Sequence, residues 1–535
     1  MSKHKKIGLF SVISITISGI IGSGWLFSAY LGAKEAGSGV YISWTITLIF
    51  FLLMALVVSE IVSMFPVRGL VGRMGVISHN KYFGAIFAFA IWLELVGSMP
   101  GEAQASVQYL SAISPGISKH LMINGSLTYE GLFFTVFFLL IYWIINIFGI
   151  KLFSKVNNVI AVYKLIIPIF VAILIISLSF HLSDFTAYHN SFVPYGANSI
   201  FLAITGAGMI YAFNGFQLGT SFASEIKNPE KTLPLGMILS IIICFIIYIL
   251  LQTSFIGAMN PVELAHAGWR SLNFNSPFVD LTTMLGLNFF TLLLYVDACA
   301  SPSGTGITFV GSASRVLCGM SREQQMPSVF AKVSEKYNFS VNAMWFNFIV
   351  ALVFLFLFHS WAVLILFITA LIVLMYMVIP ISLVGLRKAQ PDLMRRFKLK
   401  CAWFICVILF IVQSFFFVFV GAHDMIYLSV AISVFMISFM LINRPSHSDY
   451  NFKDVMHVSI PFLVYLWVET LLIIVGPMSY GGYGYINTAT IFIAIACLAV
   501  AGFSFFTAKN FVVKCQTMRA ADNAYLFKTR QFEEK

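Results

Sequence analysis

About fourteen apolar runs, each long enough to cross a lipid bilayer as a helix, constrain the fold of this chain more than any other feature. They lie near residues 7–31, 38–65, 82–112, 128–149, 155–180, 197–223, 234–258, 277–317, 341–358, 361–387, 401–420, 423–443, 456–476 and 488–507. A lipid-embedded backbone must bond its own polar groups, and about 20 continuous apolar residues do so as a helix. With 59% hydrophobic and 10% charged residues, the chain is predicted to be an all-α, multi-pass (polytopic) membrane protein.

The distribution of basic residues supports this number of spans. If the N-terminus is cytoplasmic, 28 of the 32 Lys and Arg residues fall on cytoplasmic segments and three fall on external loops. Cytoplasmic loops of membrane proteins carry this excess of positive charge. The net charge of +11 is therefore interpreted as an inner-face bias. It is not interpreted as a nucleic-acid surface, and no nucleic-acid partner is expected.

Other sequence features exclude several classes of function. The chain contains no Gly-Lys dipeptide, and therefore no phosphate-binding loop of the kind that ATP-driven pumps need. No HExxH motif occurs, and no CxxC pair suggests a metal site or a disulfide framework. The chain is accordingly expected to be neither an enzyme nor a primary pump, and to use no metal or cofactor.

Two of the apolar runs are interrupted by glycine. The first contains ISGIIGSGWLF, residues 17–27, and the sixth contains ITGAGMIYAFNGFQLG, residues 204–219. Small residues in a membrane helix have two interpretations: close packing of a neighbouring helix, or local unwinding that frees backbone groups for a ligand. Breaks in the first and sixth spans are what two five-span repeats of inverted topology would produce. We therefore predict repeats over 1–180 and 197–387, peripheral spans over 401–507 and a cytoplasmic tail over 508–535.

Four motifs resemble the amino acid–polyamine–organocation permease superfamily. They are SGIIGSGWLF in the first span, SEIVSMFPVRG at the end of the second, FNGFQLGTSFASEIKNPEKTLPLG after the sixth-span break and SRVLCGMSREQQMP after the eighth span. The motifs SMPGEAQASVQYLS and DACASPSGTG are similar to a bacterial branch that includes aspartate and glutamate transporters. The resemblance implies a LeuT-type fold, with ten core helices and about four additional C-terminal ones. Gln217 stands where many members have an acidic residue, so a carboxylate function at that position does not transfer.

Lys164 lies near the middle of the fifth span, where a charged amine is costly unless it is paired or loses its proton. Pro168, four residues later, leaves the carbonyl of Lys164 without its helical partner. The resemblance implies proton coupling by a lysine at this position. The alternative is that the lysine only holds the fifth span against the first.

Several acidic side chains also fall within predicted spans. Glu102 and Asp297 lie beside helix-breaking residues in the third and eighth spans, and are expected to contact a substrate or coupling ion. Glu94 is a weaker candidate, and Glu469 lies outside the ten-helix core. Glu60 is expected to pair with a loop arginine.

Together these residues define the predicted site. An amino acid carboxylate is expected to bind amides near Ser23 and Gly24, and its ammonium to bind carbonyls near Ile20 and residues 211–213. The predicted substrate-binding residues are Ile20, Ile21, Gly22, Ser23, Gly24, Glu102, Tyr211, Ala212, Phe213, Gly215 and Asp297, with Lys164 as the proton-coupling residue.

The predicted function is secondary amino acid transport by alternating access, with a proton gradient as the energy source and sodium as an alternative. Obligate exchange of two amino acids and a non-translocating nutrient sensor are the competing hypotheses. The expected partners are an amino acid, membrane lipid and, as an option, a second copy in a homodimer. The expected location is the plasma membrane, in bacteria the inner membrane, with both termini cytoplasmic.

Overall fold

A computed structural model describes residues 8–65, 70–147, 150–334, 340–442 and 452–513. Within these ranges the chain is almost entirely helical, which confirms the all-α prediction. The described strands are β1 (Met122–Ile123) and β2 (Ser126–Leu127), a short antiparallel hairpin in which Met122 faces Leu127. Residues 1–7 and most of the predicted tail, residues 514–535, lie outside the described part of the chain.

The helices follow the order of the predicted spans. In the first part of the chain they are α1 (Leu9–Ile20), α2 (Gly24–Ala36), α3 (Val40–Met64), α4 (Leu70–Ser78), α5 (Lys81–Ser111), α6 (Pro115–Leu121), α7 (Tyr129–Ile147) and α8 (Ile150–Leu178). The middle part contains α9 (Ala197–Gly206), α10 (Met209–Phe213), a 3-10 helix over Phe216–Glu225, α11 (Pro229–Gly257), α12 (Pro261–Ala267), α13 (Pro277–Met284), α14 (Asn288–Arg322), α15 (Val341–Leu357) and α16 (Trp361–Ala389). The last part contains α17 (Ala402–Val420), α18 (Ala422–Ile442), α19 (Phe452–Val475) and α20 (Thr488–Phe506).

Many of these helices can cross a membrane. Among the described residues, eight are long and apolar enough by themselves, and the bent pair of α9 with Met209–Thr220 makes a ninth. Four further apolar helices are shorter, with 10–17 described residues. The protein is thus a multi-pass membrane protein, while the number fourteen and the two inverted repeats stay predictions.

The prediction of one continuous span over residues 277–317 is wrong. Two helices cover this region, because α13 ends at Met284 and α14 begins at Asn288. Gly286 between them has a φ of +71°, a conformation that costs glycine little and ends a helix. The amide of Leu287 then bonds back to the carbonyl of Thr282, which closes the end of α13.

The helix α5 lies at the centre of the protein. Its most extensive packing is against α14 and α16, and it also packs against α4, α7 and α15. Nearly all of its side chains are buried, including those of Glu94 and Glu102. The two carboxyl groups of this span therefore face protein and not lipid.

Two of the four C-terminal helices, α17 and α20, are attached to this core by polar contacts as well as by apolar packing. Thr205 of α9 donates to the carbonyl of Phe419 in α17, at 3.0 Å. His79, just after α4, lies 3.0 Å from the carbonyl of Phe506 at the end of α20. These contacts fix α17 and α20 to the core at two separate points.

A buried ion cluster closes the C-terminal end of α3. Glu60 is fully buried and accepts two hydrogen bonds from Arg387, at 2.8 and 2.6 Å. It also accepts the amide of Leu399 at 2.8 Å and lies 3.5 Å from the side chain of Arg395. The prediction that Glu60 pairs with an arginine is confirmed. The cluster joins α3 to the end of α16 and to the segment that follows it.

Replacing this carboxylate tests the cluster. Glu60→Gln leaves buried guanidinium charge without its partner, which costs about 3 kcal/mol. We expect a clearly lower Tm of the purified protein in a thermal unfolding measurement. Glu263→Gln, which changes an exposed glutamate of α12, is the matched control. Equal Tm values for the two variants would contradict a stabilising function of the cluster.

Candidate functional site

The first span is broken in the middle of the protein. α1 ends at Ile20, and Ile21 adopts an extended conformation with φ −79° and ψ 98°. α2 begins at Gly24, only three residues later. The last carbonyls of α1 and the first amides of α2 therefore have no partner within a helix. This is the interruption that the glycines of residues 17–27 predicted.

The sixth span is broken twice. Gly208, with a φ of +69°, separates α9 from α10. Asn214 is then extended and Gly215 has a φ of +98°, after which the chain continues as a 3-10 helix. The described pair of helices bends by 54° across the first break.

The two broken spans touch each other through their backbones. A Cβ atom added at Gly24 would lie 3.1 Å from the Cα atom of Ala212. A Cβ atom added at Gly215 would lie 2.7 Å from the carbonyl oxygen of Gly19. Both interpretations of the glycines therefore hold at once, because the same residues unwind the helices and let them approach.

Glu102 of α5 reaches into the break of the first span. Its carboxylate accepts the backbone N–H of Ser23 at 2.9 Å on one oxygen and the hydroxyl of Tyr211 at 2.5 Å on the other. A Cβ atom at Gly22 would lie 2.6 Å from the second oxygen, so glycine at this position lets the carboxylate approach the backbone of the break. The anionic group lies at the N-terminal end of α2, where the helix dipole favours negative charge.

Lys164 lies at the opposite side of the same break. Its ammonium donates to the carbonyl of Ser18 at 3.2 Å and to the hydroxyl of Thr305 at 2.5 Å. The Thr305 hydroxyl lies 3.3 Å from the carbonyl of Ile21. Lys164 is fully buried, with 1% of its surface exposed. The positive charge therefore lies at the C-terminal end of α1, where the helix dipole favours a cation.

The aromatic residues of the sixth-span break point to different places. Tyr211 turns toward Glu102, and its ring lies edge-on to Trp361 at 6.3 Å. Phe213 instead packs among Trp44, Phe51 and Tyr248, with ring centroids 5.3 to 6.0 Å apart. Phe213 thus supports the break from behind, and Tyr211 is the aromatic residue that faces the carboxylate.

A second polar network lies at the other break of the sixth span. Asn214 donates to Glu94 at 2.7 Å, and Glu94 also accepts the hydroxyl of Ser98 at 3.1 Å. The hydroxyl of Tyr376 in α16 lies 2.8 Å from both Asn214 and Gln217. Glu94 therefore supplies a carboxyl group here from α5, although Gln217 itself carries none.

Asp297 differs from Glu94 and Glu102. It is fully buried in α14, and neither of its carboxyl oxygens has a hydrogen-bond partner. The hydroxyl of Ser301, one helical turn further along α14, is likewise buried without a partner. Among the described residues, no group of three or more His, Cys, Asp or Glu side chains is placed to hold a metal ion.

The structure adds two residues that the sequence reasoning did not single out. Thr305 bridges Lys164 and the carbonyl of Ile21, and Trp361 donates its indole N–H to the hydroxyl of Ser23 at 3.1 Å. Thr305 lies in the motif DACASPSGTG, about two turns after Asp297. This spacing places both residues on one side of the helix, so the sequence could have identified Thr305 as a candidate. Trp361 is the first residue of α16, and nothing in its local sequence marks it.

Comparison with known proteins gives consistent relatives. A family model described as amino acid permease matches residues 7–442. The glutamate/serine transporter AimA of Bacillus subtilis (strain 168) is 42% identical over 400 residues, covering 74% of this chain and 74% of that protein. The aspartate-proton symporter of the same organism is 31% identical over 414 residues, covering 77% and 78%. The branched-chain amino acid permease BcaP, also from B. subtilis, is 25% identical over 419 residues, covering 74% and 84%.

The contact between the two breaks can be tested with a pair of glycine variants in one span. Gly215→Ala requires a left-handed conformation that costs alanine about 1 kcal/mol, and its methyl group meets the backbone of Gly19. We expect a lower Tm and at least a tenfold loss of amino acid uptake in proteoliposomes. Gly206→Ala is the control, because a methyl group there meets no atom within 4 Å. Equal uptake by both variants would show that the close approach at Gly215 is dispensable.

Proposed function

We propose that this chain, which belongs to the amino acid permease family, is a proton-coupled amino acid symporter that works by alternating access. Its relatives are amino acid transporters by name, in agreement with the resemblance to the amino acid–polyamine–organocation superfamily. The observation that carries the proposal is the broken first span. The negative C-terminal end of the α1 dipole and the positive N-terminal end of the α2 dipole meet at this break.

A zwitterionic amino acid fits these two poles. The amides at the start of α2, at Ser23 and Gly24, suit its carboxylate, because the N-terminal end of a helix favours an anion. The free carbonyls at the end of α1, near Ile20, suit its ammonium group. Tyr211 and Ala212, on the sixth span, complete the wall opposite these groups.

Relatives indicate which amino acids to test first. One relative is named for glutamate and serine, and another for aspartate and protons. We propose that an acidic or small hydroxylated amino acid is the substrate. The cation nearest the break among the described residues, Lys164, would be the natural partner of a second substrate carboxylate.

The contacts of Lys164 support a function in coupling. Its ammonium joins α8 to the end of α1, and through Thr305 to α14. Loss of its proton would weaken both links and release the first span from its neighbours. We propose that Lys164 changes protonation as the site changes sides, so that holding the helices and coupling to protons are one mechanism.

We further propose that the protein lies in a bacterial inner membrane with both termini in the cytoplasm. The support is the excess of Lys and Arg on the predicted inner loops, together with the bacterial source of the relatives.

Uptake by purified protein in proteoliposomes tests the function. We expect an inwardly directed proton gradient to drive accumulation of labelled glutamate, aspartate or serine into empty vesicles, with no requirement for sodium. Uptake only into vesicles preloaded with an amino acid would replace the symport proposal by exchange. Binding without uptake under either condition would replace it by a sensor.

A variant of Lys164 tests the coupling. Lys164→Ala removes the ammonium, and we expect proton-driven accumulation to fall at least tenfold. Lys164→Met keeps most of the side-chain volume without the charge, and should show the same loss. Lys119→Ala in the external loop helix α6 is the control and should accumulate as the unaltered protein does. Full pH-driven uptake by both Lys164 variants would contradict its function in coupling.

A further inference from the structure

We infer that Glu102 is a built-in substitute for the substrate carboxylate: in the absence of an amino acid it occupies the anion-binding end of the first-span break. Binding of an amino acid then requires Glu102 to withdraw and to take up a proton. The inference rests on the proposed function, because it assigns one residue to the site described there.

The geometry around Ser23 carries this inference. The amide of Ser23 is the group expected to bind a substrate carboxylate, and it already donates to the carboxylate of Glu102 at 2.9 Å. The same carboxylate lies against Gly22 so closely that a single added carbon would come within 2.6 Å of it. Because Ser23 has one backbone N–H and Glu102 already accepts it, an amino acid carboxylate has to compete with Glu102 for this donor.

The contacts of Glu102 also resemble those of a ligand more than those of a structural ion pair. Its oxygens accept from a backbone amide of the first span and from the hydroxyl of Tyr211 on the sixth. These groups belong to the two broken spans that form the predicted site. Glu102 itself comes from a third, unbroken helix, so its side chain can withdraw while the break stays in place.

Withdrawal changes the electrostatic situation of Glu102. An incoming carboxylate takes over the amide of Ser23, and Glu102 loses a donor while it stays within the protein interior. A buried carboxylate that loses its hydrogen-bond donors is strongly disfavoured relative to the neutral acid. We therefore expect Glu102 to accept one proton from the aqueous phase to which the site is open.

Other ionisable groups surround this position and could modify its response. On its own helix the neighbouring carboxyl group is that of Glu94. Those on the packed helices are Tyr142 of α7, Lys164 of α8, Tyr211 of α10, Tyr248 of α11 and, beyond Lys164, Asp297 of α14. Lys164 is held at Ser18 and Thr305, at the other pole of the break.

The exchange balances in charge. The hydrogen bond between Ser23 and Glu102 breaks, one between Ser23 and the substrate carboxylate forms, and an O–H bond forms on Glu102. The anion-binding end of the break holds one carboxylate charge before and after the exchange, and the substrate ammonium adds one positive charge to the site. One proton enters on Glu102 with each amino acid, separately from the change of protonation proposed for Lys164, and amino acid and proton both leave when Glu102 loses its proton on the other side and returns to Ser23.

Binding measured as a function of pH tests the inference. The purified protein in lipid nanodiscs is titrated with labelled L-serine and with labelled L-glutamate between pH 5 and 9. Where Glu102 is ionised in the empty protein, uptake of one proton per amino acid makes Kd rise about tenfold per pH unit. Glu102→Gln keeps the shape of the side chain without a titrating charge, and its Kd should change less than twofold over the same range.

Two further variants separate charge from folding. Glu102→Asp restores a carboxylate and should restore a rise of Kd with pH. Glu469→Gln makes the same substitution at another fully buried carboxyl group, in the peripheral helix α19, and should retain the slope of the unaltered protein. Glu102→Gln should also still exchange labelled for unlabelled amino acid across the membrane, while losing accumulation driven by a proton gradient.

The outcomes distinguish the inference from the proposed function. A sloped profile for the unaltered protein and a flat one for Glu102→Gln supports the inference. A slope that Glu102→Gln retains, or a flat profile for the unaltered protein that still transports, overturns it and leaves transport intact. Failure of the unaltered protein to bind or transport any amino acid overturns the proposed function, and the inference with it.

Discussion

The structure depends on a helix that stops and restarts inside a medium without water. Hydrocarbon offers no hydrogen bonds, so the backbone groups freed between α1 and α2 must be served by the protein itself. Side chains from three other helices meet this need: Glu102 of α5 at the amide of Ser23, Lys164 of α8 at the carbonyl of Ser18, and Thr305 of α14 near the carbonyl of Ile21. A local defect in one span thus determines how three others are arranged around it.

This arrangement also explains why charged residues are retained at such depth. Glu102 and Lys164 would each be expensive in an apolar interior if they had no partner. Placed at the N-terminal end of α2 and the C-terminal end of α1, they complement the two helix dipoles. In the mechanism that we propose, Glu102 stabilises the empty protein and is also the group that a substrate carboxylate has to displace. By contrast, Glu60 is fixed by Arg387 and a backbone amide in a cluster with no such alternative occupant.

The parts of this architecture that depend on local chemistry could be predicted from the sequence. Gly19, Gly22 and Gly24 mark the break because glycine disfavours a helix, and Lys164 and Glu60 attract attention because buried charge demands a partner. Features that depend on contacts between distant spans could not be predicted in this way. The bond of Trp361 to Ser23 joins residues 338 positions apart, and no periodicity reveals it. The packing of the Phe213 ring against Trp44 and Phe51 is likewise a contact between distant parts of the chain. The turn at Gly286 was read as part of a continuous span because its neighbours are apolar.

The pairing of the broken halves has a mechanical consequence. α1 packs against the 3-10 helix that follows Gly215, whereas α2 packs against α9 and α10. Each half of the first span thus packs against one half of the sixth, and each pair has one close glycine contact next to the breaks, at Gly19 with Gly215 and at Gly24 with Ala212. If the proposed alternating access tilts such a pair about the breaks, the pair moves as one lever without sliding at its own interface. At 1.5 Å per residue, the 12 residues of α1 make that lever roughly 18 Å long, so a tilt of about 20° would move its far end by roughly 6 Å. That displacement is comparable to the width of a single amino acid.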